Sequence, residues 1–275
     1  MLEIWKAILF GIVEGITEWL PISSTGHMIL LDEFIHLKVS EEFYDVFEVV
    51  IQLGAIMAVV ILFWNQIWPF SLKEKFYTKR ETFLMWIKIL IACIPAAIVG
   101  LLFDDALNAL FYNPVCVALA LIVFGVAFIF IEKWNKEREP KVTELSGITY
   151  KMALIIGMFQ LLAAIFPGTS RSGATIIGAL LIGVSRTIAA EFTFFLAIPV
   201  MFGASLLKIV KFAVSGAAVA SGEIILLLVG LIVAFVVSLL VIKFLMGYIK
   251  KHDFTIFGWY RIALGFLVLG YFALR

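Results

Sequence analysis

The sequence predicts an all-α integral membrane protein, with six full transmembrane helices plus two broken re-entrant helical hairpins related as inverted-topology repeats. Three observations lead there. Of the 275 residues, 63% are hydrophobic and 15% charged, with a mean hydropathy of +1.10; soluble domains run at about 45–50% apolar and about 25% charged. Six stretches each hold the roughly 20 apolar residues that a bilayer crossing needs. Two more apolar stretches are interrupted by proline, glycine and hydroxyl residues. A net charge of +1 gives no footprint for nucleic acid. Cys93 and Cys116 sit in apolar runs, without a disulfide framework or a CxxC metal pattern, and read as packing residues.

In chain order, the first interrupted segment covers about 2–36 and is split at Pro21-Ile22-Ser23-Ser24-Thr25-Gly26. Glu3, Lys6, Glu14 and Glu18 break up its apolar character, so it reads as mature structure rather than a cleaved signal peptide. Full spans follow at about 43–64, 82–103 and 114–132. A second interrupted segment, about 149–183, is split at Pro167-Gly168-Thr169-Ser170-Arg171-Ser172-Gly173, and spans follow at about 189–211, 221–245 and 255–274. Each interruption frees backbone polar groups that hydrocarbon cannot satisfy. Such breaks survive only inside protein or against a water-filled cavity.

The two interrupted segments match at an offset of 146, with Gly11 over Gly157, Glu14 over Gln160, Pro21 over Pro167 and Ser24 over Ser170. Gly54-Ala55 lies over Gly203-Ala204 at an offset of 149. The chain therefore reads as a single membrane domain, 1–275, of two repeats, about 1–135 and about 149–275, with a cytoplasmic linker at about 133–148. Three crossings per repeat is an odd number, so the second repeat runs inverted. Inverted repeats place the functional site where the two broken elements meet.

Lys and Arg gather in the loops 65–81, 133–148, 183–188 and 246–254, among them Lys73, Lys75, Lys133, Lys136, Arg138, Lys141, Arg186 and Lys250. The other side carries Asp32, Glu33, Glu41, Glu42, Asp104 and Asp105, with Arg275 among few cations. Positive-inside then makes the first side cytoplasmic and both termini extracytoplasmic.

The breaks also carry the candidate chemistry. Glu14 and Glu18 are four apart and share a helix face. His27 closes the Ser23-Ser24-Thr25-Gly26 turn, whose hydroxyls could equally be helix caps. Arg171, between Ser170 and Ser172 and followed by Gly173, sits at a helix start, where N–H groups and the dipole favour an anion. Its planar fork fits phosphate. Three unpaired charges in the bilayer would cost about 8–10 kcal/mol at about 2.5–3.5 kcal/mol each, against a total stability of about 5–15 kcal/mol. Glu14, Glu18 and Arg171 must therefore meet each other, water or a ligand. The ligand expected is an oxygen-rich anion, best a phosphate.

The segment from Glu14 to His27, together with Pro167-Gly-Thr-Ser-Arg171-Ser-Gly-Ala-Thr, resembles the undecaprenyl pyrophosphate phosphatase (bacitracin-resistance) family. Phe47-Glu48-Val-Val-Ile-Gln52-Leu-Gly and Gly183-Val-Ser-Arg186 extend the resemblance over nearly the whole chain. It implies a multi-pass enzyme of the bacterial plasma membrane that hydrolyses undecaprenyl diphosphate to undecaprenyl phosphate and inorganic phosphate. That activity recycles the carrier of peptidoglycan synthesis and confers bacitracin resistance. The resemblance further implies a site open toward the outer face, assisted by Mg²⁺ or Ca²⁺, without an organic cofactor.

On this reading the catalytic candidates are Glu14, Glu18, Ser24, His27 and Arg171, and the substrate-binding candidates are Ser23, Thr25, Thr169, Ser170, Arg171, Ser172 and Gly173. Glu14 and Glu18 are the candidate metal ligands, or one of them is the base. Ser24 or a water is the nucleophile, with His27 as base, proton donor or phosphorylated intermediate. Trp19 could line a groove for the polyprenyl tail, although packing alone accounts for it. Partners are the polyprenyl diphosphate lipid, the bilayer and a second copy of the chain as a homodimer. The competing class is a transporter or lipid flippase, for which paired broken helices are a common plan.

Overall fold

The computed structural model describes residues 1–71, 79–216 and 221–274, with the backbone alone at Asp104, Asp105, Asn108 and Ser221. Lys73, Lys75 and Arg275, and the side chains of Asp104 and Asp105, thus lie outside the described residues. The helices are α1 (Leu2–Thr17), α2 (Ser24–Phe34), α3 (Glu41–Leu62), α4 (Trp64–Ile67), α5 (Arg80–Phe111), α6 (Pro114–Asn135), α7 (Tyr150–Ile165), α8 (Arg171–Leu181), α9 (Arg186–Val214), α10 (Ser221–Tyr248) and α11 (Thr255–Ala273). Six of them, α3, α5, α6, α9, α10 and α11, are long and apolar enough to cross a membrane.

Local chemistry sets the helix starts. Ser40 accepts from the Phe43 amide at 3.2 Å to open α3, and Thr149 from the Met152 amide at 3.2 Å to open α7. Asn113 accepts from the Cys116 amide at 2.9 Å to open α6, with Pro114 at the first turn. Each cap satisfies an amide that the first helical turn leaves without a partner. The observed spans track the expected ones, with one overrun. Helix α5 runs through Pro95 and Gly100 and continues past 103 to Phe111, with no further proline or glycine before Pro114.

Both interrupted helices fold back toward where they began. Lys6 Nζ donates to the His36 carbonyl at 2.6 Å and the Lys38 amide to Glu3 Oε2 at 2.9 Å, joining the start of α1 to the end of α2. In the other half, the Lys141 amide donates to the Gly183 carbonyl at 2.8 Å, and the Ser185 amide to the Val142 carbonyl at 2.8 Å. These bonds tie the approach to α7 to the exit from α8. The halves also use matching partners: α1 packs on α10 as α7 packs on α5, α10 meets α3 as α5 meets α9, and α3–α9 and α6–α11 pair across the halves.

Two glycines allow the closest crossings. A Cβ on Gly54 would collide with the Leu231 carbonyl, and one on Gly157 with the Ala92 carbonyl. Small residues let membrane helices bring their backbones together. Outward-facing positions are apolar, with Leu101, Phe130, Leu240 and Phe244 all exposed. This is the surface expected against lipid tails rather than water.

Candidate functional site

The two breaks meet inside the bundle, and the chain turns sharply at each. Ser23 and Ser170 have φ of 75° and 68°, the only non-glycine positive values among the described residues. Each is also the cap of the helix it opens: Ser23 Oγ accepts from the Gly26 amide at 3.3 Å, and Ser170 Oγ from the Gly173 amide at 3.1 Å. Left-handed backbone costs a non-glycine residue about 1–2 kcal/mol, and such strain clusters at functional sites. In space Ser23 thus corresponds to Ser170, one residue away from the register read off the sequence. Ser24 therefore corresponds to Arg171, and both are the first residues of their helices.

Those two residues converge on Glu18. Ser24 Oγ donates to Glu18 Oε2 at 2.8 Å, and Arg171 Nη2 donates to Glu18 Oε1 at 2.8 Å. Glu18 is 7% exposed, so the pair with Arg171 is shielded from water. Arg171 Nη1 donates to the Thr193 carbonyl at 3.1 Å, which fixes the plane of the guanidinium. Ser172 Oγ donates to the Glu18 carbonyl at 3.2 Å, a second tie between the breaks. A cavity of about 180 Å³ adjoins the group, lined by Glu18, Ser24, Thr25, Ser170, Arg171 and Ser172 together with Gln52, Pro167 and Met201. A larger one, about 770 Å³, shares Ser24, Thr25 and Gln52 with it. Glu14, Asp32, Glu33, Asp45, Glu48 and Lys208 are in its wall.

The other expected residues take different places. Ser23, Thr169 and Gly173 line neither cavity and belong to the framework of the turns. Glu14 is fully buried and lines only the larger cavity, where neither of its oxygens meets a hydrogen-bond donor. His27 also lines neither cavity. Its Nδ1 is 2.7 Å from the Ser23 carbonyl and must be the protonated nitrogen, because a carbonyl only accepts. Nε2 then accepts from the Tyr260 hydroxyl at 2.7 Å, with the two rings stacked. His27 therefore braces the strained turn beside Ser24, and its free lone pair is already occupied. Trp19 is wholly buried, edge-on to Phe194 at 5.3 Å, which makes it core rather than groove.

Two residues escaped the sequence reading. Tyr260 is one. The other is Arg261, fully buried on α11, whose guanidinium donates to the carbonyls of Pro21 at 3.2 Å, Gly168 at 3.0 Å and Thr169 at 2.7 Å. It clamps both breaks at once and satisfies carbonyls that the interrupted helices leave open. A lone arginine within an apolar span was the available signal.

This architecture can bind an oxyanion beside a serine whose hydroxyl already faces a carboxylate. Comparison with known proteins points the same way. The family model described as bacitracin resistance protein BacA matches residues 7–267. The chain is 64% identical over 275 residues to an undecaprenyl-diphosphatase of Desulfitobacterium hafniense, covering 100% of this chain and 98% of the relative. It is 65% identical over 271 residues to undecaprenyl-diphosphatase 1 of Clostridium acetobutylicum, covering 98% of each. With an Enterococcus faecalis undecaprenyl-diphosphatase it shares 62% identity over 269 residues, covering 98% of this chain and 97% of the relative. The chain belongs to the bacitracin resistance protein BacA family.

Proposed function

We propose that this chain hydrolyses undecaprenyl diphosphate to undecaprenyl phosphate and inorganic phosphate, recycling the lipid carrier for cell-wall synthesis. The observation that carries this is the placement of Glu18 between Ser24 and Arg171. The Ser24 proton already points at Glu18, so the carboxylate acts as the base while Oγ attacks the terminal phosphorus. The bridging P–O bond breaks, and undecaprenyl phosphate leaves with the bond's electron pair. The proton held by Glu18 leaves with the departing phosphate, which frees the carboxylate again. Water then attacks the phosphoserine and gives up a proton to Glu18, which passes it to Ser24 Oγ as the Ser24 O–P bond breaks and inorganic phosphate is released. Arg171 spends only part of its N–H fork on Glu18 and Thr193, which leaves donors for the equatorial oxygens of the transferring group. The Ser170 and Ser172 hydroxyls, 3.1 Å apart on the cavity wall, add polar contacts. His27 supports Ser24 from behind by holding the Ser23 carbonyl.

A divalent cation such as Mg²⁺ or Ca²⁺ would neutralise charge on the diphosphate. Glu14, with two buried and unpartnered oxygens, fits as a ligand; both Glu18 oxygens already accept a hydrogen bond. The chemistry needs no organic cofactor.

The interrupted pairs α1–α2 and α7–α8 read as re-entrant hairpins of inverted repeats; the returning hydrogen bonds and the matched helix partners support this. The larger, acid-lined cavity lies at the Lys208 end of α9, whereas Arg138, Lys141, Arg186 and Lys250 gather around a cavity at its other end. Positive-inside then opens the site to the outer face, with both termini outside. Glu18, Ser24 and Arg171 come from one chain, so a homodimer is not needed to complete the site. Raised expression is expected to confer bacitracin resistance.

The purified chain in detergent micelles should release phosphate from undecaprenyl diphosphate. Ser24→Ala and Arg171→Ala should each lower the rate by about 10³-fold or more, the scale of an arginine in phosphoryl transfer. Near-wild-type rates in both well-folded variants overturn the proposal, and a transporter would release no phosphate in micelles.

A further inference from the structure

We infer that Glu14 and Glu48, rather than Glu14 and Glu18, form a divalent-cation site in the wall of the larger cavity, a proposal that rests on the hydrolytic reading only for the cation's use. Both Glu18 oxygens already accept a hydrogen bond, Oε1 from Arg171 and Oε2 from Ser24, so a cation there would compete with the serine and the arginine. Glu14 is the opposite case. It is 0% exposed, lines the cavity, and neither oxygen meets a donor. Glu48, on the neighbouring helix α3, lines the same cavity and, after Glu18, is the next carboxylate within electrostatic range of Glu14. Gln52, one turn further along α3, lines both cavities and carries an amide oxygen.

The charges around this cavity need a cation. The one lysine in its wall, Lys208, is drawn to Asp45 at the rim, 2.9 Å away. Two carboxylates in one cavity wall within an apolar bundle repel, because the low-dielectric interior screens little. Substrate meets the same difficulty. A diphosphate headgroup reaching Ser24 through the larger cavity passes Glu14 and Glu48 and is repelled by both. A cation between them turns this barrier into an attractive passage. Two carboxylates, an amide oxygen and room for water make a hard-oxygen set suited to Mg²⁺, Ca²⁺ or Mn²⁺.

The test uses Mn²⁺ as probe and electron paramagnetic resonance of the full chain in detergent, with and without inorganic diphosphate. Wild type should bind one Mn²⁺ per chain, competed by Mg²⁺ or Ca²⁺. Glu14→Gln and Glu48→Gln should each weaken binding at least tenfold, whereas Glu18→Gln and the rim variant Asp45→Asn should stay within threefold. The inference is overturned if wild type binds no Mn²⁺ in either condition, if Glu48→Gln binds like wild type, or if Glu18→Gln loses binding as Glu48→Gln does. Phosphate release measured on the same wild-type sample separates the two claims. Mn²⁺ bound without turnover would sink the hydrolytic reading alone, and turnover without Mn²⁺ binding would sink the cation site alone.

Discussion

Replacing Arg261 with methionine removes the side chain that joins the two breaks while keeping a long, flexible, apolar body in its place. Three buried carbonyls, those of Pro21, Gly168 and Thr169, lose their donor. An orphaned buried acceptor costs about 1–3 kcal/mol, so the gross loss is about 3–9 kcal/mol. Relief of the buried guanidinium's own desolvation offsets part of this, which leaves a net loss near the low end, about 3 kcal/mol. The catalytic consequence should be larger than the stability loss suggests. Pro21 is three residues from Ser24 and Thr169 two from Arg171, so loosening either turn moves the reacting groups. A misplacement of about 1 Å can cost about 10²-fold in rate. Unfolding followed by SDS titration, together with phosphate release, measures both effects. Arg261→Lys should fall between, because a point charge cannot span three carbonyls as the fork does. A methionine variant as stable as wild type, with activity within threefold, would refute the clamp.

Further outcomes follow from the same geometry. His27→Ala should lose roughly 10²-fold in activity through Ser24 placement, whereas His27→Asn, whose amide can replace Nδ1–H, should keep at least tenfold more than the alanine variant; equal loss in both would make His27 a base after all. Gly54→Ala and Gly157→Ala should each destabilise the bundle by about 1–3 kcal/mol through overpacking, while Gly203→Ala, with nothing within 4 Å of its added Cβ, should be neutral or slightly stabilising; SDS titration of the three variants decides this. Glu132→Gln should cost about 1–3 kcal/mol by weakening a charged acceptor, since Glu132 is 2% exposed and holds both the half-buried Arg186 and the Phe254 amide. A Glu132→Gln chain that unfolds like wild type contradicts that reading.

The six crossings and both breaks were legible because their signals are local: run length of apolar residues, and Pro or Gly with hydroxyls inside such runs. Energetics required Glu14, Glu18 and Arg171 to meet each other, water or a ligand, since no such charge is tolerable unpartnered in lipid, but which carboxylate takes Arg171 was not legible. The side-chain directions after each break were not legible. The positive-φ turns at Ser23 and Ser170 re-aim the next helix, sending Ser24 and Arg171 toward Glu18 and His27 toward Tyr260. The offset of 146 read off the sequence misses the match of the two turns by one, because the second turn holds one residue more between its proline and its positive-φ serine than the first. Arg261 was missed although its signal was present: it is the one formal charge between Asp253 and Arg275. Glu48 entered only through the family resemblance. Its isolation beside Glu14 depends on how α1 packs on α3, which sequence spacing does not disclose.

The most direct test of the central claim is an acid quench of single turnovers with undecaprenyl diphosphate labelled in its terminal phosphate. Phosphoserine survives acid and phosphohistidine does not. Label retained on Ser24, formed before phosphate appears and absent from Ser24→Ala, is the predicted result. Full-rate turnover with no label on Ser24 would contradict the account.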